Sequence, residues 1–487
     1  MNARKPLVLC LLSALALAVS AAAGAQEAFP STPPAPGPVP TLDIPTPQSI
    51  TLDNGLRVVV AHRDGLPLVT ARLLIRAGSE TDPTDKAGLA ALTATLLTRG
   101  AAGMDAPAMA TAADALGGAL ESDADWDQSS LGITVTTPRL ADALDLMAKA
   151  ARQPAFQDAE LARARKQTLD SQRLRLSQPT GMASVLAERE VFAGGSYAHP
   201  SAGTPTSLKR ITRADIVRQH DTWYRPDNAI LVLAGDIDTD QARQLAATAF
   251  GDWKAPAAAL PSRDTGTGAA AAPKLLVVNQ TGGGQAGVVA THRGIARGDK
   301  DYYIGSVANA VLGGSYSARL NEEIRIKRGL SYGAHSRLDT RRDGGQWMAV
   351  VQTKNPSAAQ VVQLIETEFG KLGSAPVSDA ELAARKATLT GGYARSLETT
   401  AGLASRVGTL ALYDIDPAEI GKYIRRVDAV TPAQVQAFAK DHLDADGTHM
   451  IVVGDAAAFS ADLKQRHPQL HQVDIDKVDL DTPAGTR

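Results

Sequence analysis

Cysteine is all but missing: the 487-residue chain has one, Cys10. It lies inside an N-terminal apolar run, too early to serve as a lipid-attachment cysteine. Removal of that run leaves no cysteine, which excludes disulfides, thiolate metal ligands and a cysteine nucleophile together. A surplus of either charge is missing too. The 50 Lys and Arg face 52 Asp and Glu, a net charge of -2. That balance argues against a nucleic-acid surface and against a polybasic membrane surface. Beyond the first run, no apolar stretch approaches a membrane span. No G-x-S-x-G elbow occurs, and no phosphate-binding glycine loop. The run Gly282-Gly283-Gly284 precedes an apolar segment and reads as a flexible lead into a strand.

What is present sets the class. Hydrophobic residues at 44% and charged residues at 21% are ordinary globular values, on a chain long enough for two or more domains with full cores. Arg4 and Lys5 precede an apolar run from Pro6 to about Ala22, and Ala23-Gly24-Ala25 before Gln26 reads as an A-x-A cleavage site. The expectation is a signal peptide over 1–25, export, and a periplasmic location. A retained membrane anchor is the competing reading. Residues 26–47 are proline-rich and read as an extended tether, and 254–273 have the composition of an interdomain linker. The polar residues 459–487 read as a C-terminal tail.

The two stretches between these segments repeat one another. Thr212-Arg213-Ala214-Asp215 leads through a helical stretch to AILVLAGD, and Thr431-Pro432-Ala433-Gln434 leads likewise to HMIVVGD. Thr212 to Thr431 and Gly235 to Gly454 are both 219 positions. Upstream, the segment from Ala159 to Leu169 matches that from Ala380 to Leu389 at nearly the same offset. Three matches in order at one spacing indicate duplication. Within the first copy, Asp53-Asn54-Gly55 signals a hairpin into LRVVVAH, and LVTARLLIRAG is a second strand. Helical stretches follow over about 86–98 and 106–116, then strands near 120–123 and 130–136. Three longer helices are expected over 138–152, 158–177 and 182–192. Strands with helices packed on one face make an α+β layered domain, 48–253, repeated over 274–458.

Metal-ligand spacing among the nine histidines is poor. Only His467 and His471 stand at i, i+4, and Pro468 between them argues against one regular helix. The helix 86–98 reads KAGLAALTATLLT. Its setting resembles the pitrilysin/insulinase family of zinc peptidases, the inverzincins, whose H-x-x-E-H signature follows a G-L-A segment. Further segments carry the resemblance: Tyr197-Ala198-His199-Pro200, Tyr224-Arg225-Pro226-Asp227-Asn228, Leu312-Gly313-Gly314-Ser315-Tyr316-Ser317-Ala318-Arg319-Leu320, and Arg325 through Tyr332. It implies two α/β-layered domains of the metalloprotease LuxS/MPP-like type in tandem.

The resemblance also locates a loss. The family's two histidines fall on Ala91 and Thr95, and its catalytic glutamate on Ala94. A methyl group offers no lone pair to zinc, and a threonine hydroxyl is a poor substitute for imidazole. The family's third ligand falls near Asp170 and Ser171, and one carboxylate does not make a site. The family's substrate-contacting arginine and tyrosine fall on Arg325 and Tyr332, where a guanidinium and a phenol suit a peptide carbonyl and a developing oxyanion. A non-catalytic subunit is implied, binding no zinc itself. It would pair with a homologous chain that bears H-x-x-E-H and zinc, and would accept unfolded peptides as an added strand. The relatives are mitochondrial processing peptidase and bacterial heterodimers. Two alternatives stay open, a scaffold protein and a stand-alone peptide-binding or chaperone-like module.

Overall fold

Asn54 and Gly55 form the expected turn. Gly55 takes a φ of 91°, in the left-handed region that favours glycine. The Asn54 amide donates to the carbonyls of Phe250 and Trp253, fastening the turn to the end of a helix. The strands it joins, β1 (Gln48–Thr51) and β2 (Arg57–His62), open a six-stranded sheet. The other members are β3 (Leu68–Ile75), β4 (Glu121–Ala124), β5 (Ser129–Thr136) and β6 (Ala229–Gly235). This computed structural model describes residues 44–192, 194–263, 273–444 and 447–481. The expected signal peptide, most of the tether, the middle of the linker and the last six residues lie outside the described residues.

A second six-stranded sheet holds β7 (Leu275–Asn279), β8 (Gln285–Gly294), β9 (Ser331–Thr340), β10 (Gly345–Lys354), β11 (His449–Gly454) and β12 (His471–Asp474). The strand orders are β1-β2-β6-β3-β5-β4 and β12-β7-β11-β8-β10-β9. These are one topology twice. In each sheet the last central strand returns parallel to the first, β6 on β2 and β11 on β7, and the remaining central pairings are antiparallel. The copies differ at the outer strand. β1 comes from the N-terminal side, whereas β12 comes from residues read as a solvated tail. That reading is corrected: Ser460–Arg466 is helical, and β12 pairs in register with β7 from His471 to Asp474. Alternation in His-Gln-Val-Asp is too short to reveal a strand, and the waiting edge of β7 supplies the pairing.

Helices on one face alone is likewise corrected. β6 is buried at every position, so both of its faces must be covered. One face packs on helices of its own half, including Leu89–Leu97, Leu140–Arg152 and Thr239–Phe250. The other face, with Val59, Leu74, Ile230 and Val232, is covered by Leu403, Ala404, Val407 and Ala411 from the helix Thr400–Leu412 of the second half. The exchange is reciprocal. Helix Pro179–Val191 of the first half lays Met182, Ala183, Leu186 and Ala187 on Leu276, Val289, Ile451 and Val453 of the second sheet. Gly287 permits this contact, because a Cβ there would stand 2.5 Å from Pro179 and Thr180 backbone atoms.

A second junction lies at the tip between β9 and β10. Arg341 and Arg342 leave that tip and enter the first half. The Arg341 guanidinium, 2% exposed, sits 4.1 Å from the Trp126 ring centroid, 4.6 Å from Phe192 and 5.1 Å from Tyr197. Arg342 donates from its backbone to Asp127 Oδ2 at 2.8 Å and from its guanidinium to Glu80 Oε1 at 3.1 Å. Tyr197 and Tyr413 add phenol donors to Asp127 at 2.6 and 2.9 Å.

Burial, with the neighbouring Asp127, holds the Glu80 carboxyl up at about 7. Its unfolded value is about 4.3. Between those values the folded chain keeps a proton that the unfolded chain has lost. The resulting stabilisation is therefore complete below about pH 4.3 and lost as pH rises through about 7. Glu80→Gln removes the titration while keeping the shape. Measured by urea unfolding, wild type should lose roughly 2 kcal/mol relative to Glu80→Gln between pH 5.5 and pH 8. A constant difference across that range would contradict the assignment.

Candidate functional site

Helix Leu89–Leu97 starts from Gly88, whose φ is 91°. The buried Asp82 carboxylate accepts from the Gly88 and Ala90 amides, both at 2.8 Å, and so caps the helix. Desolvation raises the Asp82 carboxyl well above the usual range, against the lowering effect of those amides. Leu89, Ala90, Leu92, Thr93, Ala94, Leu96 and Leu97 are buried, so this is a packed helix with small side chains on several faces.

Ala91 and Thr95 are half-buried and Ala94 is fully buried. Thr95 Oγ1 donates to the Ala91 carbonyl at 2.8 Å, so the hydroxyl is engaged with its own helix. Asp170, on helix Asp158–Ser177, pairs with Lys166 at 2.7 Å and Arg173 at 3.1 Å. The hydrogen bond from Lys166 lowers its pKa. Among the described residues no three His, Cys, Asp or Glu are grouped as a metal-ligand set. Two methyl groups, an occupied hydroxyl and an ion-paired carboxylate do not fit zinc. A cleft of about 730 Å³ opens beside the N-terminus of this helix, among Lys86, Leu89, His199 and Asp215, and neither Ala91 nor Thr95 lines it.

Arg325 and Tyr332 are brought together. Arg325 lies in a π-helical turn, Glu322–Ile326, that follows the short helix Arg319–Asn321. Lys327 N donates to the Glu322 carbonyl at 2.9 Å, the five-residue spacing of such a turn. Ile324 points into the core while Arg325 stays half-buried. Tyr332 is the second residue of β9, where the pairing with β10 slips between Ser331 and Ala334. Such a bulge re-aims a side chain, and the Tyr332 ring is 91% exposed. The Arg325 guanidinium carbon lies 4.8 Å from that ring's centroid. The guanidinium has no carboxylate partner among the described residues.

A third residue joins them that spacing rules did not single out. Tyr316, 64% exposed, places its ring centroid 4.9 Å from the same guanidinium. It stands nine residues before Arg325, which matches no helical or strand period. Its presence in the Gly313–Leu320 segment was the one available signal. No hydrogen bond, ion pair or ring contact joins this group to Ala91, Ala94 or Thr95 among the described residues. The two sets belong to different halves of the chain.

With that geometry in view, comparison with known proteins is specific. Residues 57–179 match the family model described as insulinase (peptidase family M16), and residues 210–389 match the one described as peptidase M16 inactive domain. The chain is 28% identical over 406 residues to a protein of Mycobacterium leprae described as an uncharacterized zinc protease, covering 81% of this chain and 88% of that one. A crystal structure of a peptidase M16 inactive domain from Pseudomonas fluorescens superposes with a TM-score of 0.78 at 27% identity, over 84% of this chain and 98% of that one. A protease from Helicobacter pylori shares the fold, with a TM-score of 0.80 at 20% identity, over 84% of this chain and 100% of the other.

Proposed function

Because the chain belongs to peptidase family M16 and is of its inactive type, we propose that it is the exported, non-catalytic subunit of a heterodimeric zinc peptidase. Its partner is a homologous chain with an intact H-x-x-E-H helix, which supplies the zinc and the general base. This chain supplies Arg325 and Tyr332 to the peptide that the partner hydrolyses. One observation carries the reading. Arg325 presents a guanidinium with no carboxylate partner among the described residues against an exposed tyrosine, on a chain whose zinc-motif positions hold methyl groups and a bonded hydroxyl. An unpaired, partly desolvated cation has a cost unless a ligand offsets it.

The chemistry follows from residue type. A guanidinium donates a fork of N–H groups to a peptide carbonyl, and a phenol donates to an oxygen on which charge is growing. β9, which carries Tyr332, is an edge strand, but its Ala334 and Ser336 amides already donate to Asn321 Oδ1 and the Gly313 carbonyl, so peptide meets this face at Arg325 and Tyr332 and not as a strand added along that stretch. No described helix is long and apolar enough to cross a membrane.

Purification of the chain alone and co-expressed with an H-x-x-E-H-bearing homologue tests this. The lone chain should contain no stoichiometric zinc and cleave no peptide, whereas the pair should do both. In the active pair, Arg325→Ala should lower turnover by about 10²-fold and Tyr332→Phe by about tenfold, with the complex intact on gel filtration. Stoichiometric zinc or robust cleavage by the lone chain would sink the proposal.

A further inference from the structure

Arg325 contacts the rings of two tyrosines, and the loop bearing Tyr316 is fixed by its own hydrogen bonds. Arg385 donates to Ser315 Oγ at 3.1 Å and Ser317 Oγ at 2.7 Å, on either side of Tyr316. Asn321 Nδ2 donates to the Tyr316 carbonyl at 2.6 Å, while Asn321 Oδ1 accepts from Ala334 N in β9 at 3.1 Å. One buried asparagine therefore braces the loop of Tyr316 against the strand of Tyr332. Gly313 lets this loop lie flat on that strand, since a Cβ there would stand 2.4 Å from Ser336 N. Arg319 fixes the next turn through a bidentate pair with Glu381, at 2.9 and 2.8 Å.

The result is a guanidinium lying over two aromatic rings, at 4.8 and 4.9 Å, each mostly exposed. The two rings contact the guanidinium through their π-systems and, among the described residues, no carboxylate takes its N–H groups, which are left for an acceptor. The neighbouring Glu323 is engaged by Lys327 and Arg328, both at 2.6 Å. A planar fork without an acid of its own matches a carboxylate better than a single carbonyl, because two parallel N–H···O bonds form and charge is neutralised.

We propose that Tyr316, Arg325 and Tyr332 form a clamp for a peptide carboxylate, from a free C-terminus or an acidic side chain, with Tyr316 as a positioning residue that holds the guanidinium in plane. The clamp rests on the reading of this face as one that meets peptide, and it adds a substrate class to that reading.

Fluorescence anisotropy on the purified chain tests it. The probes are three labelled ten-residue peptides of otherwise neutral sequence: one with a free C-terminus, one amidated, and one amidated with a single internal glutamate. At least one carboxylate peptide should bind about tenfold more tightly than the amidated neutral one. Preference for the first alone identifies the terminus, and preference for the third identifies an acidic side chain. The preference should vanish in Arg325→Gln and Tyr316→Leu and persist in Tyr316→Phe, which keeps the ring. Equal affinity for all three peptides overturns the clamp and leaves peptide binding standing. Binding of none overturns both. A preference that survives Tyr316→Leu removes Tyr316 from the assignment.

Discussion

Replacing Arg342 with alanine should lower the free energy of unfolding by roughly 3–5 kcal/mol, the usual result of stripping the cation from buried acids. Arg342 reaches Glu80 at 3.1 Å and Asp127 at 3.7 Å, and both acidic side chains are nearly inaccessible. Deleting the guanidinium leaves them in a low-dielectric pocket with only the more distant Arg263, 3.9 Å from Glu80, as counter-charge. It also removes the hydrogen bond to the Asp127 carbonyl at 3.1 Å. Urea unfolding followed by circular dichroism gives the number. Because the groups are coupled, the double variant Glu80→Gln/Arg342→Ala should lose less than the sum of the single variants. A loss below about 1 kcal/mol for Arg342→Ala would place the junction among exposed ion pairs of little consequence.

The other large effect concerns the exchange of helices. Expressed separately, neither half should give a soluble, cooperatively folding protein. The first half would expose the sheet face of Val59, Leu74, Ile230 and Val232, and the second that of Leu276, Val289, Ile451 and Val453. Uncovered apolar sheet faces of this kind aggregate, because burial contributes about 25 cal/mol per Å² and an exposed face forfeits it. Co-expressed as two chains cut within 264–272, the halves should associate and copurify. Within the whole chain, Val407→Asp should destabilise by roughly 3–5 kcal/mol, since it buries an unpaired carboxylate at that interface. A soluble isolated half with a sharp unfolding transition would show that the exchanged helices are not required.

Most elements of the first half were legible in advance. The helix expected over 158–177 is Asp158–Ser177, and the strand near 130–136 is Ser129–Thr136. The signals are local ones: helical and strand periodicity, and at Asp53-Asn54-Gly55 a turn-forming pair. The loss of zinc ligands was legible through the resemblance, which puts the family's histidines and glutamate on Ala91, Thr95 and Ala94; helical spacing adds only that the three share one face. The pairing of Arg325 with Tyr332 could be stated from a motif. Asp127 and the Arg341-Arg342 plug could not, because their contacts close long loops or cross from one half to the other, and Tyr316 could not, because its spacing from Arg325 matches no regular period.

The sequence by itself determined that this is a duplicated α+β chain, because periodicity and a repeated spacing are local signals, and its resemblance put Ala91, Ala94 and Thr95 where the family carries its zinc motif. The tertiary structure alone decided three further things. Helices Pro179–Val191 and Thr400–Leu412 cover the opposite half's sheet, β12 completes the second sheet, and Tyr316 joins Arg325. The physical reason is common to all three. A periodic pattern shows that a face is apolar or an edge unpaired, but any complementary surface can satisfy it. The partner is chosen only when the whole chain has packed.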